Sequence, residues 1–559
     1  MKSPTLKNAF RRIDHDYVAI LLLLVFSAVL FAPAAFHGIP ENYDFGQHLR
    51  FARTWHDALA SGVYIPSWGS ADNAGLGSAG IRFYPPATHA VMGAVQFITG
   101  SWYDTIWVTM LAWMWIGSIG VYKLAREWSS RPIALGSALL YVIVPYHLLQ
   151  VFQAFLLAEF TAAAILPFCF LYAHRLVTKG GAVNIFLFFA AYSALVLSHI
   201  PTTIIGTLSV AVFVLGFLSA ENFLRIVLRF ASAFAMSLAA TAFFWVRMVS
   251  ELSWVKHNTP EFYMSGPYNY SVYFFPMIYS AGEVYWARFL WLFDITILAT
   301  FALCIPALIV VLKKKFDAPR HLLSLIAVAA VALFMMSAAS SPVWDSISFV
   351  QKLQFPYRWL APASLAAALL FPLGAAAFIE NRTVITRSFA YSLASALVFV
   401  IVLDVSQIVI PSAPVPRAEI AREIEKLDKE PACDCWWPVW ASRDVMKHTE
   451  RISSGDREFT ISKWEATSRE FTVNAGAAEK VRIGTFFYPH WKATVNGSPA
   501  EVTSDPNGLI EIPIPADFSD VTLEFREPGI VIASRYFSAA AIALIFATLL
   551  FTAVRSRYR

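Results

Sequence analysis

The chain has 559 residues, 57% hydrophobic and 14% charged, with a mean hydropathy of +0.56 and a formal net charge of +5. This composition excludes a single soluble globule, and the apolar runs are long enough for the ~30 Å of hydrocarbon in a bilayer, so the chain reads as a polytopic α-helical membrane protein. Lys and Arg fall in short clusters between apolar runs, the pattern of topology signals, and no nucleic-acid partner is implied.

Twelve spans are predicted, at roughly 17–36, 103–122, 132–149, 158–174, 184–200, 202–219, 230–250, 290–311, 321–339, 359–379, 388–410 and 530–554. Pro145, Pro167 and Pro201 interrupt the third through sixth, which a membrane helix tolerates when neighbours satisfy the freed carbonyls. Lys2, Lys7, Arg11 and Arg12 precede the first run as in a signal peptide, but that run is longer than a typical signal core and reads as a retained anchor. Segments 1–16, 123–131, 175–183, 220–229, 312–320, 380–387 and 555–559 carry 20 Lys and Arg, whereas the alternate loops before residue 358 carry six. Both termini are therefore expected in the cytoplasm, with loops 37–102, 251–289 and 340–358 and segment 411–529 on the outer face.

The outer loop 37–102 opens with Asn42-Tyr43-Asp44-Phe45-Gly46-Gln47-His48. Phe45, Leu49, Ala52, Trp55 and Leu59 recur at helical spacing and predict an interfacial amphipathic helix over 45–60. Asp44 then has two readings that are not exclusive. A carboxylate at the membrane surface is suited to general-base work on a lipid-borne substrate, and an Asp ahead of a helix is a common N-cap. His48 is either a site residue or part of a solvated helix face. Farther along lie a Gly-rich piece and Arg82-Phe83-Tyr84-Pro85-Pro86, with Pro86 suited to the first turn of a second surface helix at 87–99.

Other ionisable groups gather at the outer ends of spans: His147 and Glu159 around the third-to-fourth turn, His199 before Pro201, Arg247 with Glu251, then Lys352 and Phe355-Pro356-Tyr357-Arg358-Trp359. Charges at such depth are costly unless paired or functional. Arg247 and Glu251 have i,i+4 spacing, which alone predicts an ion pair. Arg358 is either a phosphate contact or a side chain snorkelling beside an aromatic belt.

Segment 411–529 reads as a separate outer β domain, a small β-sandwich tethered by membrane helices, with 530–559 as the last span and a basic tail. It opens with a Pro-rich linker and a charged helical stretch at 417–430. Alternating runs follow at 470–473, 481–487, 491–495, 509–514 and 521–525, and Asn496-Gly497 marks a hairpin. Cys169 and Cys304 fall inside spans as packing residues, whereas Cys433-Asp434-Cys435 is open to three readings: free thiols, a local disulfide or two metal ligands.

The order of first span, acidic outer loop, Tyr84-Pro85-Pro86, many spans, Phe355-Pro356-Tyr357-Arg358, an outer β domain with Tyr488-Pro489-His490-Trp491 and a last span resembles the YfhO-like and 6-pyruvoyl-tetrahydropterin synthase-related bacterial membrane proteins. These in turn resemble the GT-C glycosyltransferases. The resemblance implies a GT-C-like transmembrane module over 1–410 in the bacterial inner membrane. It further implies a transferase that moves a sugar from a polyprenyl-phosphate donor to a glycan or lipid acceptor on the outer face, with Asp44 as base. On that reading Arg358 stabilises the leaving phosphate, and Arg247, His147, His199 and Lys352 are candidates to assist. His48, Tyr84, Glu159 and Tyr357 complete the expected substrate-binding set. Some relatives place an acidic pair and a divalent cation at the Asp44 position; here Phe45-Gly46 follows Asp44 and only Glu41 precedes it, so a divalent cation is left open. The rival classes are a lipid or polysaccharide flippase, which would show repeated halves, and a non-catalytic subunit of envelope-glycan assembly.

Overall fold

The computed structural model describes residues 6–277, 284–314, 318–379, 384–410 and 414–557. α1 (Leu6–Phe36) leads through strand β1 (Ile39–Pro40) to a surface layer made of α2 (Phe45–Ala60) and α3 (Ala87–Thr99). The helical body follows as α4 (Trp102–Ala125), α5 (Arg131–Ile143), α6 (Pro145–Phe152), α7 (Leu157–Thr178), α8 (Ala182–Val196), α9 (Ile200–Leu215), α10 (Phe223–Ala240) and α11 (Ala242–Glu251). After the short α12 (Pro260–Tyr263) come α13 (Val284–Ala302), α14 (Ile305–Lys314) and α15 (Arg320–Met336), the short α16 (Ser341–Ser346) and α17 (Ser348–Gln351), then α18 (Leu360–Ile379) and α19 (Val384–Val409).

Among the described residues eight helical stretches are long and apolar enough to cross a membrane, and four shorter apolar helices, at 182–196, 200–215, 320–336 and 394–409, occupy the remaining expected spans. A count of twelve full crossings is thus not reached on length. Val144-Pro145 divides the third expected span into α5 and α6, because proline removes a helix hydrogen bond and its ring displaces the preceding turn. The seventh divides at Thr241 into α10 and α11.

β2 (Pro414–Val415) pairs antiparallel with β1, bringing the chain back to the first loop, and α20 (Ile420–Lys429) lies against α2. Leu427 reaches Gly46, where a Cβ would come within 2.8 Å of its methyl group, and Arg53 grips Asp428 at 2.6 and 3.1 Å. The charged stretch at 417–430 is therefore helical as expected but belongs to the surface layer.

Strands β3 (Ile452–Ser453), β6 (Glu479–Phe486), β10 (Leu509–Ile514) and β9 (Thr503–Ser504) form one sheet. A second contains β4 (Phe459–Trp464), β5 (Ser468–Val473), β11 (Ser519–Phe525), β7 (Trp491–Val495) and β8 (Ser498–Ala500). Val481, Ile483 and Ile512 of the first share a buried core with Phe471, Val521 and Leu523 of the second, so the pair is a β-sandwich. Asn496 and Gly497, at φ 51° and 75°, turn β7 into β8, the positive-φ geometry that an Asn-Gly hairpin requires. α21 (Gly529–Arg557) then packs against α10 and α11, and the Ser538 hydroxyl accepts from Phe243 N–H at 2.9 Å.

Candidate functional site

The tight turn from α6 to α7, where Phe155 takes φ 56°, sets the first-turn carboxylate of α7, Glu159, above α6. Glu159 Oε1 accepts from the Tyr146 hydroxyl and from Gln150 Nε2 (3.2 Å), and Oε2 accepts from Arg358 Nε at 2.9 Å. Arg358 arrives in a single 3₁₀ turn just before α18; its Nη1 donates to Leu353 O at 2.6 Å and its guanidinium lies 4.7 Å from the Phe355 ring. Its Nη2 has no acceptor among the described residues.

The first loop closes over this pair. Asn42 Nδ2 donates to Phe152 O at 2.8 Å, Asp44 N–H to Ala154 O at 3.4 Å, and Phe45 meets Phe155 edge-on at 5.0 Å. Asp44 occupies the N-cap position of α2 without making a side-chain capping bond. It is half-buried, and its carboxyl is pushed up to about 6, chiefly by burial, against the lowering pull of Arg358 and with Glu159 adding to the rise. The Tyr84 hydroxyl is pushed up by burial and by Asp44, and Tyr357 lies within electrostatic reach of Glu159, Arg358 and Asp44.

Asp44, Tyr84, Glu159, Tyr357 and Arg358 therefore converge, although they come from well-separated parts of the chain. His48 borders them: its Nδ1 hydrogen-bonds His89 Nε2 at 2.8 Å, the rings stack, and Tyr84 meets His48 edge-on. Burial lowers both imidazoles, His89 to about 3, so the pair is neutral at neutral pH. His199 feels Arg358 and His48 but binds Thr202 Oγ1 at 2.8 Å as the N-cap of α9.

Three expected members lie elsewhere. His147 packs on Tyr141 at 4.3 Å inside the helical body, with Nε2 unpartnered. Lys352 is exposed and donates to Asn258 Oδ1 at 2.7 Å. Arg247 donates to Pro66 O and Ile81 O at 2.9 and 3.1 Å. The ion pair that its spacing with Glu251 predicts does not form, because Arg82 takes both Glu251 oxygens at 2.6 Å.

Sequence reasoning missed that second cluster. Arg82 also binds both oxygens of Glu527 at 2.9 and 2.8 Å, while Glu251 accepts from Tyr488 at 2.7 Å and meets His490 at 3.0 Å. Burial alone would raise the two carboxyls, but the bonds from Arg82 and the neighbouring donors hold each down at about 2. Also missed was His257, which feels Arg358; Tyr268, one of the aromatic residues of loop 251–289 open to lining an acceptor groove or an interfacial layer, feels Asp44. His257 stacks at 4.7 Å on Trp436, beside the Cys433–Cys435 disulfide. The only signal for His257 was its place in that aromatic-rich outer loop.

A divalent ion does not fit these donors. Both oxygens of Glu159 are engaged and Glu41 faces Lys426 at 3.7 Å, which leaves Asp44 alone; no group of three His, Cys, Asp or Glu suited to a metal occurs among the described residues.

No curated protein matches the sequence. Among solved structures, the chain is similar to ArnT from Cupriavidus metallidurans bound to undecaprenyl phosphate, with 13% identity over 73% of this chain and 69% of that one and a TM-score of 0.45. It is also similar to the arabinofuranosyltransferase AftD from Mycobacteria, with 15% identity over 71% of this chain and 26% of that one and a TM-score of 0.40. For the arabinosyltransferase EmbB from Mycobacterium smegmatis the figures are 12% identity, 89% and 62% coverage and a TM-score of 0.35. The family model described as "6-pyruvoyl-tetrahydropterin synthase related domain; membrane protein" matches residues 81–413, more than half of the sequence, and takes in the Tyr84, Glu159 and Arg358 side of the site; the chain belongs to that membrane-protein family.

Proposed function

We propose that this protein is a GT-C-type membrane glycosyltransferase that moves a sugar from a polyprenyl-phosphate donor to a glycan or lipid acceptor, with Asp44 as general base. The observation that carries the reading is Asp44 itself: a half-buried carboxylate, titrating near 6, with no capping bond and facing a buried Arg358–Glu159 pair. An acceptor hydroxyl held against Asp44 would give up its proton as its oxygen bonds to the anomeric carbon. The bond from that carbon to the lipid phosphate breaks on the opposite face, with inversion, and the phosphate carries away the electron pair. Arg358 suits the leaving group: Glu159 orients it through Nε while Nη2 stays available for a phosphate oxygen.

The test is to incubate purified protein with a panel of radiolabelled polyprenyl-phosphate sugars and candidate acceptors, following label transfer. Transfer should fall about tenfold or more in Arg358→Ala and less in Arg358→Lys, because a point charge serves a phosphate less well than a fork does. No transfer with any donor, or full activity in Arg358→Ala, would sink the reading.

The proposed setting is the bacterial inner membrane, with both termini cytoplasmic. Ion pairs Arg131–Asp16, Arg175–Glu127 and Lys179–Glu127 support it by gathering basic segments at one end of α1, α4 and α7, opposite the end bearing Asp44. In intact cells with a permeabilised outer membrane, Ser498→Cys should react with an impermeant maleimide and Ala220→Cys should not. The reverse pattern overturns the topology.

A further inference from the structure

The second ionic cluster carries an uncompensated positive charge. Among the described residues, the carboxylates that Arg82, Arg247 and Arg535 meet are those of Glu251 and Glu527, so three guanidinium groups share two acids. Arg82 is saturated by its two carboxylates; Arg247 gives Nη1 and Nη2 to the carbonyls of Pro66 and Ile81, neither of which carries a charge, and the Nε of both Arg247 and Arg535 is buried and unpartnered. Arg535 spends one nitrogen on Glu527 at 2.8 Å and keeps 27% of its side chain accessible. A buried charge in excess of its partners is strongly unfavourable beside hydrocarbon, so an anion is the missing component.

The surroundings say what kind. Arg535 stands in the second turn of α21, at the end of that helix joined to the β-sandwich, where a lipid headgroup would sit. Beside it in sequence Ile532 and Tyr536 are exposed, as is Val249 next to Arg247 on α11, against which α21 packs. Guanidinium groups present forked donors that match phosphate oxygens, and exposed apolar side chains alongside suit acyl chains.

We infer that Arg535, with the buried charge of Arg247 behind it, forms a phosphate-binding site where α21 packs on α11, occupied by the phosphate of a membrane amphiphile or by free phosphate. It shares no residue with Asp44, Glu159 or Arg358, so its test stands apart from sugar transfer. Purified full-length protein would be titrated with dioleoylphosphatidylglycerol, with dioleoylglycerol of the same chains and with inorganic phosphate, and read by native mass spectrometry and by the rise in melting temperature. Phosphatidylglycerol or inorganic phosphate should bind, and whichever binds more tightly names the source. Dioleoylglycerol should bind at least tenfold more weakly than that ligand. Arg535→Gln should weaken phosphate binding about tenfold, the usual worth of a charge-assisted hydrogen bond, and Lys480→Ala on the sandwich should leave it unchanged. If Arg535→Gln fails to fold, Arg535→Lys, which retains the charge but not the fork, should bind several-fold more weakly than wild type. Equal binding by wild type and the folded Arg535 variant, or no preference for either phosphate ligand over dioleoylglycerol, overturns the site.

Discussion

Asp44→Asn is expected to lower the rate of sugar transfer by about 100-fold or more, within the ~10² to 10⁴ that general-base catalysis contributes. Expression should be unchanged and the melting temperature no lower than wild type. The substitution keeps the size of the side chain, and Asn caps helices about as well as Asp, so even a capping role would survive. The geometry argues further that capping is not at issue, since Asp44 sits at the N-cap of α2 without a side-chain bond to the helix. Its effect on stability has a definite sign. A carboxyl raised to about 6 in the folded state is harder to ionise there than in the unfolded chain, so its charge opposes folding as pH rises through about 6, and Asn removes that term. The same value sets the rate profile. Turnover by the wild type should fall about tenfold per unit as pH drops below about 6, and the residual activity of Asp44→Asn should lack that limb. An active Asp44→Asn protein, or a wild-type profile flat from pH 7 to 5, would take the proton-acceptor role away from Asp44.

The layer that presents Asp44 was legible because it is local. Five apolar residues at helical spacing mark α2 over Phe45–Ala60, and Asn496-Gly497 together with strict alternation marks β7 and its hairpin. β4 was not legible: it is an edge strand whose side chains are all exposed or half-exposed, so no alternation between core and solvent is written into it. Much the same contrast divides the site. Asp44, Glu159 and Arg358 stood out singly as charges at the ends of spans, where an ionisable group needs a reason to be. Their meeting, with Arg358 reaching back 199 residues to Glu159, is a property of helix packing that no local period reports. Arg247 shows how local spacing misleads. Its i,i+4 relation to Glu251 is genuine, but an exposed-helix rule worth ~0.2–0.5 kcal/mol competes with a bidentate, buried Arg82, and the buried fork wins. Arg82 itself, between Ile81 and Phe83, has no local acid to advertise it; its acids lie 169 and 445 residues away.

Arg82→Met is expected to destabilise the protein by about 3–5 kcal/mol, the cost of removing one partner from a buried ion pair and leaving its opposite charge behind. Two acids are left at once: Glu251, which retains Tyr488 and His490, and Glu527, which retains Ser67 and Arg535. Since Glu251 ends α11, Tyr488 and His490 belong to the sandwich and Glu527 precedes α21, the loss should loosen the sandwich from the helical body without removing any residue of the Asp44 site. Resistance to denaturation in detergent, measured as an unfolding midpoint and as the half-life at elevated temperature, reads the effect. A pH series separates charge from packing. In the wild type both acids are held at about 2, so their contribution is complete above the ordinary carboxylate range and declines only as pH falls from about 4.5 towards 2. Without Arg82, Glu251 keeps no guanidinium bond while Glu527 keeps Arg535, so burial raises Glu251 and Arg82→Met should gain stability on mild acidification from pH 7 to 5, where the wild type stays level. A variant that is destabilised equally at both pH values would owe its loss to packing alone, and one as stable as wild type would mean that Arg82 does not hold the two acids in the folded protein.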